Sequence, residues 1–308
     1  MNVHTATLLA LVVAAGGSSH VSAGAAQPAT RIVYVSAFDK NGSAVKDMSA
    51  AEFDVKEGGK AREIVSVEPA KIPLRIALLV ADQGTGAFQR GIGLFMQKLL
   101  GHAEFALTSV IVQPEKVIDY SHDARELSEA LSRLGPRGRQ PGGQLMEAIQ
   151  EATKNIRHEQ RRPVIVVMRL GGEGPTVLSA PDVLEELRKS GAALYVVAAA
   201  GAHAAAPPQA TGTDPVSVAQ GRLRDSELSE SASNLGQVLD DGAKDSGGRY
   251  EQVIATTHAR AMEQVAEELL NQYEIRYVTA DGVKSNAKLS VSSKRKGITV
   301  RAPSRIPM

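Results

Sequence analysis

One carboxylate at the end of an apolar run has the clearest claim to chemistry in this chain. Arg75-Ile76-Ala77-Leu78-Leu79-Val80-Ala81 leads into Asp82-Gln83-Gly84-Thr85-Gly86, and residues 88–100 then follow a helical pattern. In open α/β sheets, ligands collect where the carboxyl end of a strand meets the next helix, so Asp82 stands where a site belongs. Its surroundings are poor in donors: one acid, no serine, and glycines at 84 and 86 where oxygen-bearing side chains could have stood.

Other chemistries find less support. Gly84-Thr85-Gly86 opens like the phosphate cradle of a dinucleotide-binding turn, but Gln89 occupies the third glycine position. An enzyme binding a phosphate or dinucleotide cofactor at Gly84–Gly86 is the alternative reading. The sequence has no G-x-x-x-x-G-K-[ST] loop and no G-x-S-x-G elbow. Its seven histidines show no paired ligand spacing; His122-Asp123 is the only close pair with an acid, and Asp123 suits a helix start. With no cysteine, disulfides, thiolate metal sites and a cysteine nucleophile are excluded.

The elements that must position Asp82 fall into three blocks. Residues 31–38, 53–57 and 61–67 read as strands, with Asn41-Gly42 as a tight turn. From residue 73, strands at 74–81, 105–112, 116–120, 163–170, 194–200 and 250–254 alternate with helices at 88–100, 124–134, 144–156, 181–190, 228–245 and 260–272. That order predicts a doubly wound, mostly parallel sheet covered on both faces. Residues 201–225, rich in Ala, Pro, Gly and Thr, read as a mobile loop. Strands return at 274–279, 287–292 and 298–302. Three strands at either end cannot bury two sheet faces alone, so the ends are expected to pair into one small β-sandwich.

The bulk numbers are those of a soluble globular chain: 308 residues, 43% hydrophobic and 22% charged, with a net charge of +1 that gives no reason to expect nucleic acid. Thr7-Leu8-Leu9-Ala10-Leu11-Val12-Val13-Ala14-Ala15 is too short to span a bilayer comfortably, and Ala23-Gly24-Ala25 resembles a cleavage site. Residues 1–25 are expected to be a secretory signal peptide. Export to the periplasm or beyond, without stable membrane insertion after cleavage, follows. Glu185-Glu186 and Glu267-Glu268 read as solvated helix faces, Arg161-Arg162 as cations closing a helix, and Lys294-Arg295-Lys296-Gly297 as a charged hairpin tip.

Several segments in order resemble bacterial exported proteins that carry a von Willebrand factor A domain between β-rich flanks. They are Val35-Ser36-Ala37-Phe38-Asp39-Lys40-Asn41-Gly42, Met48-Ser49-Ala50-Ala51-Glu52-Phe53-Asp54-Val55, Leu78-Leu79-Val80-Ala81-Asp82, Pro141-Gly142-Gly143-Gln144-Leu145-Met146-Glu147-Ala148-Ile149, Gly247-Gly248-Arg249-Tyr250 and residues 269–277. The resemblance implies sandwich segments at 30–70 and 273–308 around an α/β domain at 73–272. It also implies a divalent cation held by Asp-x-Ser-x-Ser, a distant threonine and a distant aspartate.

Position by position, Asp82 matches the first aspartate, but Gly84 and Gly86 replace the serines and Gln144 the threonine. Leu170, or Arg169 in a register one residue away, replaces the second aspartate, with Glu173 three residues beyond Leu170. That is too few oxygens for a hard cation. The expectation is an exported, non-enzymatic module that binds another protein without metal or other cofactor. Its candidate face comprises Asp82, Gln83, Gly84, Thr85, Gly86, Arg137, Arg139, Gln144, Arg169 and Glu173, with an arginine in the cation's role.

Overall fold

The computed structural model describes residues 29–138, 142–172, 174–200, 215–254, 256–280 and 286–306. The opening block forms β1 (Thr30–Phe38), β2 (Phe53–Glu57), β3 (Lys60–Arg62) and β4 (Ile64–Pro69). The alternating block follows as β5 (Leu74–Ala81), α1 (Gln89–Leu99), β6 (Ala103–Val110), β7 (Pro114–Ser121), α2 (Ala124–Ser132), α3 (Leu145–Asn155), β8 (Arg162–Leu170), α4 (Ala180–Ser190), β9 (Ala193–Ala200), α5 (Pro215–Ser246), β10 (Arg249–Ile254) and α6 (His258–Leu270). The chain closes with β11 (Tyr273–Val278), β12 (Leu289–Ser293) and β13 (Thr299–Arg301).

The central sheet has the order β10-β9-β8-β5-β6-β7, parallel throughout except for the antiparallel edge pair β6–β7. Strand alternation splits β5 between two cores. Leu74, Ile76, Leu78 and Val80 face α1, α2 and α6, while Ala77, Leu79 and Ala81 face α3, α4 and α5. Both faces being dry explains why β5, β8 and β9 read as continuous apolar runs.

The β-rich ends meet, as their orphan faces require. One sheet runs β13-β1-β11-β4 and the other β12-β2-β3, packed around Val35, Phe53, Val55, Ile275 and Tyr277. The expected single strand at 61–67 divides at Glu63. Its first part stays with β2, and its second, β4, crosses to β11. Burial there does not follow polarity, since Ala61 and Val65 are exposed while Arg62 and Ser66 are half-buried, so alternation could not reveal the change of sheet.

A second difference concerns the expected loop at 201–225. Residues 201–214 lie outside the described residues, but 215 onward belong to the 32-residue helix α5. Its front half buries no stripe, with Val216 and Leu223 exposed; the buried spacing starts at Ser231, Leu235, Val238 and Leu239. Only that later half carries the periodicity by which a helix is recognised.

The readings of two charged pairs are also corrected. Glu268 is 2% exposed and Arg162 is 6% exposed, because the outer face of β1 docks on the α/β domain there. Glu268 accepts hydrogen bonds from Ser36 and Tyr195 at 3.1 Å each and from Arg301 at 2.5 Å. Arg162 opens β8 instead of ending a helix, and it donates to the Ile72 carbonyl at 2.8 Å and to Gln272 at 2.7 Å.

Candidate functional site

Asp82 follows β5 at the carboxyl edge of the sheet and is 4% exposed. A buried carboxylate needs donors, and here the turn itself provides them. Gly84 N–H donates to Asp82 Oδ1 at 3.0 Å, and the amides of Gly86 and Ala87 also act on the carboxylate. Thr85 Oγ1 donates to the Asp82 carbonyl at 2.8 Å and accepts from Ala87 N–H at 3.3 Å. Burial pushes the Asp82 carboxyl above the ordinary carboxylate range, against the pull of these amides and of the Arg137 charge.

This turn requires unusual backbone. Gln83 has φ 57°, Gly84 φ 75° and Gly86 φ 71°, a region open to glycine and costly for other residues. Gln83 tolerates it while only 2% exposed, its amide side chain lying flat on Gly171. A Cβ on Gly171 would fall 2.4 Å from Gln83 Cδ.

The space the two serines would need is filled by residues 136–138. A Cβ at Gly84 would stand 2.7 Å from the Gly138 carbonyl oxygen, and one at Gly86 would stand 2.9 Å from Pro136 Cδ. Arg137 N–H fastens this loop to the Gly84 carbonyl at 2.8 Å. The Arg137 guanidinium, 37% exposed, reaches Glu115 and Ser109, each at 3.4 Å.

The structure thus brings Asp82, Gln83, Gly84, Thr85, Gly86 and Arg137 together. Arg169 is separated from them by strand alternation. It pairs in register with Ala81, so the two share the face toward α3 and α4 while Asp82 projects to the other. The Arg137 charge acts on the Asp82 carboxyl. Gln144 precedes α3, with its amide donating to the Val112 carbonyl at 3.0 Å. Among the described residues, no hydrogen bond joins its side chain to Asp82. Arg139 and Glu173 lie outside the described residues.

Pro136, Gly138, Ser109 and Gly171 are the participants the sequence reading missed. The Gly135-Pro136-Arg137-Gly138 stretch and the Gly171-Gly172 pair were the available signals, since each punctuates a connection at this edge.

The donor set does not fit a hard cation. Magnesium and calcium take six or more oxygens, whereas Asp82 is capped by amides and both serine positions are closed by backbone and proline-ring atoms. Among the described residues, no group of three or more His, Asp and Glu side chains converges as a metal site.

A mostly parallel sheet with one antiparallel edge, helices on both faces, and a site after its first core strand give the von Willebrand factor A-like architecture. Here that domain is inserted in a β-sandwich. No protein-family profile matches the sequence, and no curated protein does. Among solved structures the chain is similar to proximal thread matrix protein 1 from the mussel byssus with a zinc-occupied MIDAS motif. That match has 12% identity and a TM-score of 0.44, covering 69% of this chain and 49% of the mussel protein. It is also similar to the SpRpn10 VWA domain, with 14% identity and a TM-score of 0.34, over 42% of this chain and 76% of that one. The conserved hypothetical protein BatB from Bacteroides thetaiotaomicron has 17% identity and a TM-score of 0.41, over 64% of this chain and 97% of that one.

Proposed function

We propose that this protein is an exported, non-enzymatic module that binds another protein through the edge around Asp82 without a cation. The observation that carries this reading is the closure of both serine positions by Pro136 and Gly138, with Asp82 turned into a cap for its own turn. What the edge presents outward is Arg137, a planar donor suited to a partner's carboxylate. Export is supported by the apolar segment 7–15 and the small-residue site at Ala23-Gly24-Ala25.

The alternative, a phosphate or dinucleotide cofactor on the Gly84–Gly86 turn, has less support. A phosphate cradle needs free amides, and the amides of Gly84 and Gly86 are directed at Asp82. The test is capture of partners from the source organism's envelope fraction on the immobilised chain, with and without EDTA. Capture that survives EDTA and falls with Arg137→Ala is expected. Capture abolished by EDTA and unaffected by Arg137→Ala would overturn the proposal.

A further inference from the structure

We propose that the gap between the four-stranded sheet and the α/β domain binds a small molecule carrying one carboxylate on an apolar body. β1 alternates here: Val35 and Ala37 enter the sandwich core, Ile32 and Tyr34 line the gap on the other side, and Val33, a core residue, also borders it. The gap is a cavity of about 320 Å³, a size at which small molecules bind. Its walls include Ile32, Val164 and Ile306 together with Arg31, Arg157 and Arg162, and among the described residues no Asp or Glu lines it.

The charges are unevenly satisfied. Arg31 is paired with Glu57 at 2.7 Å. Among the described residues Arg162 bonds only to neutral oxygens, those of Ile72, Leu269 and Gln272, and it lies 5.1 Å from the Tyr34 ring centroid. A guanidinium has five N–H donors, so two remain after these three bonds. The Glu274 carboxylate acts on Arg162 at longer range but is itself engaged by Arg276 at 3.3 Å and by the Tyr34 hydroxyl at 3.5 Å. A buried cation with no directly paired counter-ion is costly, and an anion in the cavity would supply one. Arg157, exposed at the end of α3, adds positive charge at the rim. Apolar walls that also carry guanidinium groups select an amphiphile over a bare anion.

The test is titration of the full chain with decanoate, decan-1-ol and inorganic phosphate, read by calorimetry and by thermal unfolding. Decanoate is expected to bind saturably and raise Tm, with the alcohol and phosphate roughly tenfold weaker or worse. Ile32→Trp, at a part-exposed position on the wall, is expected to abolish binding. Arg157→Ala, which touches no core, is expected to weaken it several-fold whether or not Ile32→Trp folds. Absence of decanoate binding, equal binding of decanol or phosphate, or undiminished affinity in Arg157→Ala would each overturn the proposal.

Discussion

Restoring the two serines that a cation site would require should damage this protein and bring no metal. At Gly84 the added Cβ meets the Gly138 carbonyl oxygen at 2.7 Å with φ +75°; at Gly86 it meets Pro136 Cδ at 2.9 Å and Pro136 N at 3.0 Å with φ +71°. These neighbours are backbone and ring atoms, which cannot swing aside as a flexible side chain would. Left-handed backbone costs an ordinary residue about 1–2 kcal/mol. Forcing apart a packed contact adds about 1–3 kcal/mol. Gly84→Ser and Gly86→Ser should each lose about 2–5 kcal/mol, which lowers Tm by roughly 5–15 °C in a domain of this size. The assay is circular-dichroism melting in EDTA and in millimolar Mg²⁺, with both variants expected to melt early in either buffer. A serine variant that melts with the unmodified protein, or that gains saturable stabilisation from Mg²⁺, would refute the reasoning.

Four further outcomes follow from the same structure. Gly236→Ala, on α5 with nothing within 4 Å of the new Cβ, should raise stability by about 0.5–1 kcal/mol in urea unfolding. Burial raises the Asp82 carboxyl, so its contribution is complete below the unfolded-state value and is lost as pH rises through the native one. Asp82→Asn keeps an oxygen for the Gly84 amide, so its stability relative to the unmodified chain should be greatest at neutral pH and shrink on acidification; growth of that difference in acid would contradict the assignment. Arg301→Ala strands Glu268, whose side chain is 1% exposed, and should cost about 2–3 kcal/mol after allowance for the 30% exposure of Arg301. Glu268→Gln should cost less, since its amide oxygen still accepts from Tyr195 and Ser36, and a double-mutant cycle measures the difference. Leu223→Ser, on the uncovered front half of α5, should change stability by less than about 0.5 kcal/mol in the same assay.

The alternating block was legible because its signals are local. Continuous apolar runs marked β5, β8 and β9, Asp123 accepts from the Arg125 and Glu126 amides at the start of α2, and Gly191 ends α4 at φ 68°. The pairing of the β-rich ends was legible by elimination, since three strands have no stable face alone. What escaped depended on partners distant in sequence. Glu268 looks like a solvated charge and Arg162 like a helix-closing cation until the outer face of β1 covers them, and nothing near either residue announces that docking. The front half of α5 escaped because a helix with no buried stripe has no period to find.

At the site, the missing serines were legible and their consequence was not. The sequence shows Gly84 and Gly86 beside a lone aspartate, which fits an eroded cation site open to solvent. The structure replaces that picture with an interlocked turn. Asp82 is buried, so its carboxylate must find donors; Gly84 N–H reaches it while Gln83 and Gly84 hold positive φ. Those angles leave room for Pro136 and Gly138 to close over the glycines, and that closure brings Arg137 N–H onto the Gly84 carbonyl. The choice of arginine follows from the strand register. With Ala81 opposite Arg169, alternation places Leu170 level with Asp82 and turns the Arg169 side chain to the far face of the sheet. A slip of one residue would have reversed both assignments. A positive charge that acts on Asp82 comes from a loop 55 positions away in the chain, 137 against 82. Any partner that recognises this edge must read the loop and the turn as one unit.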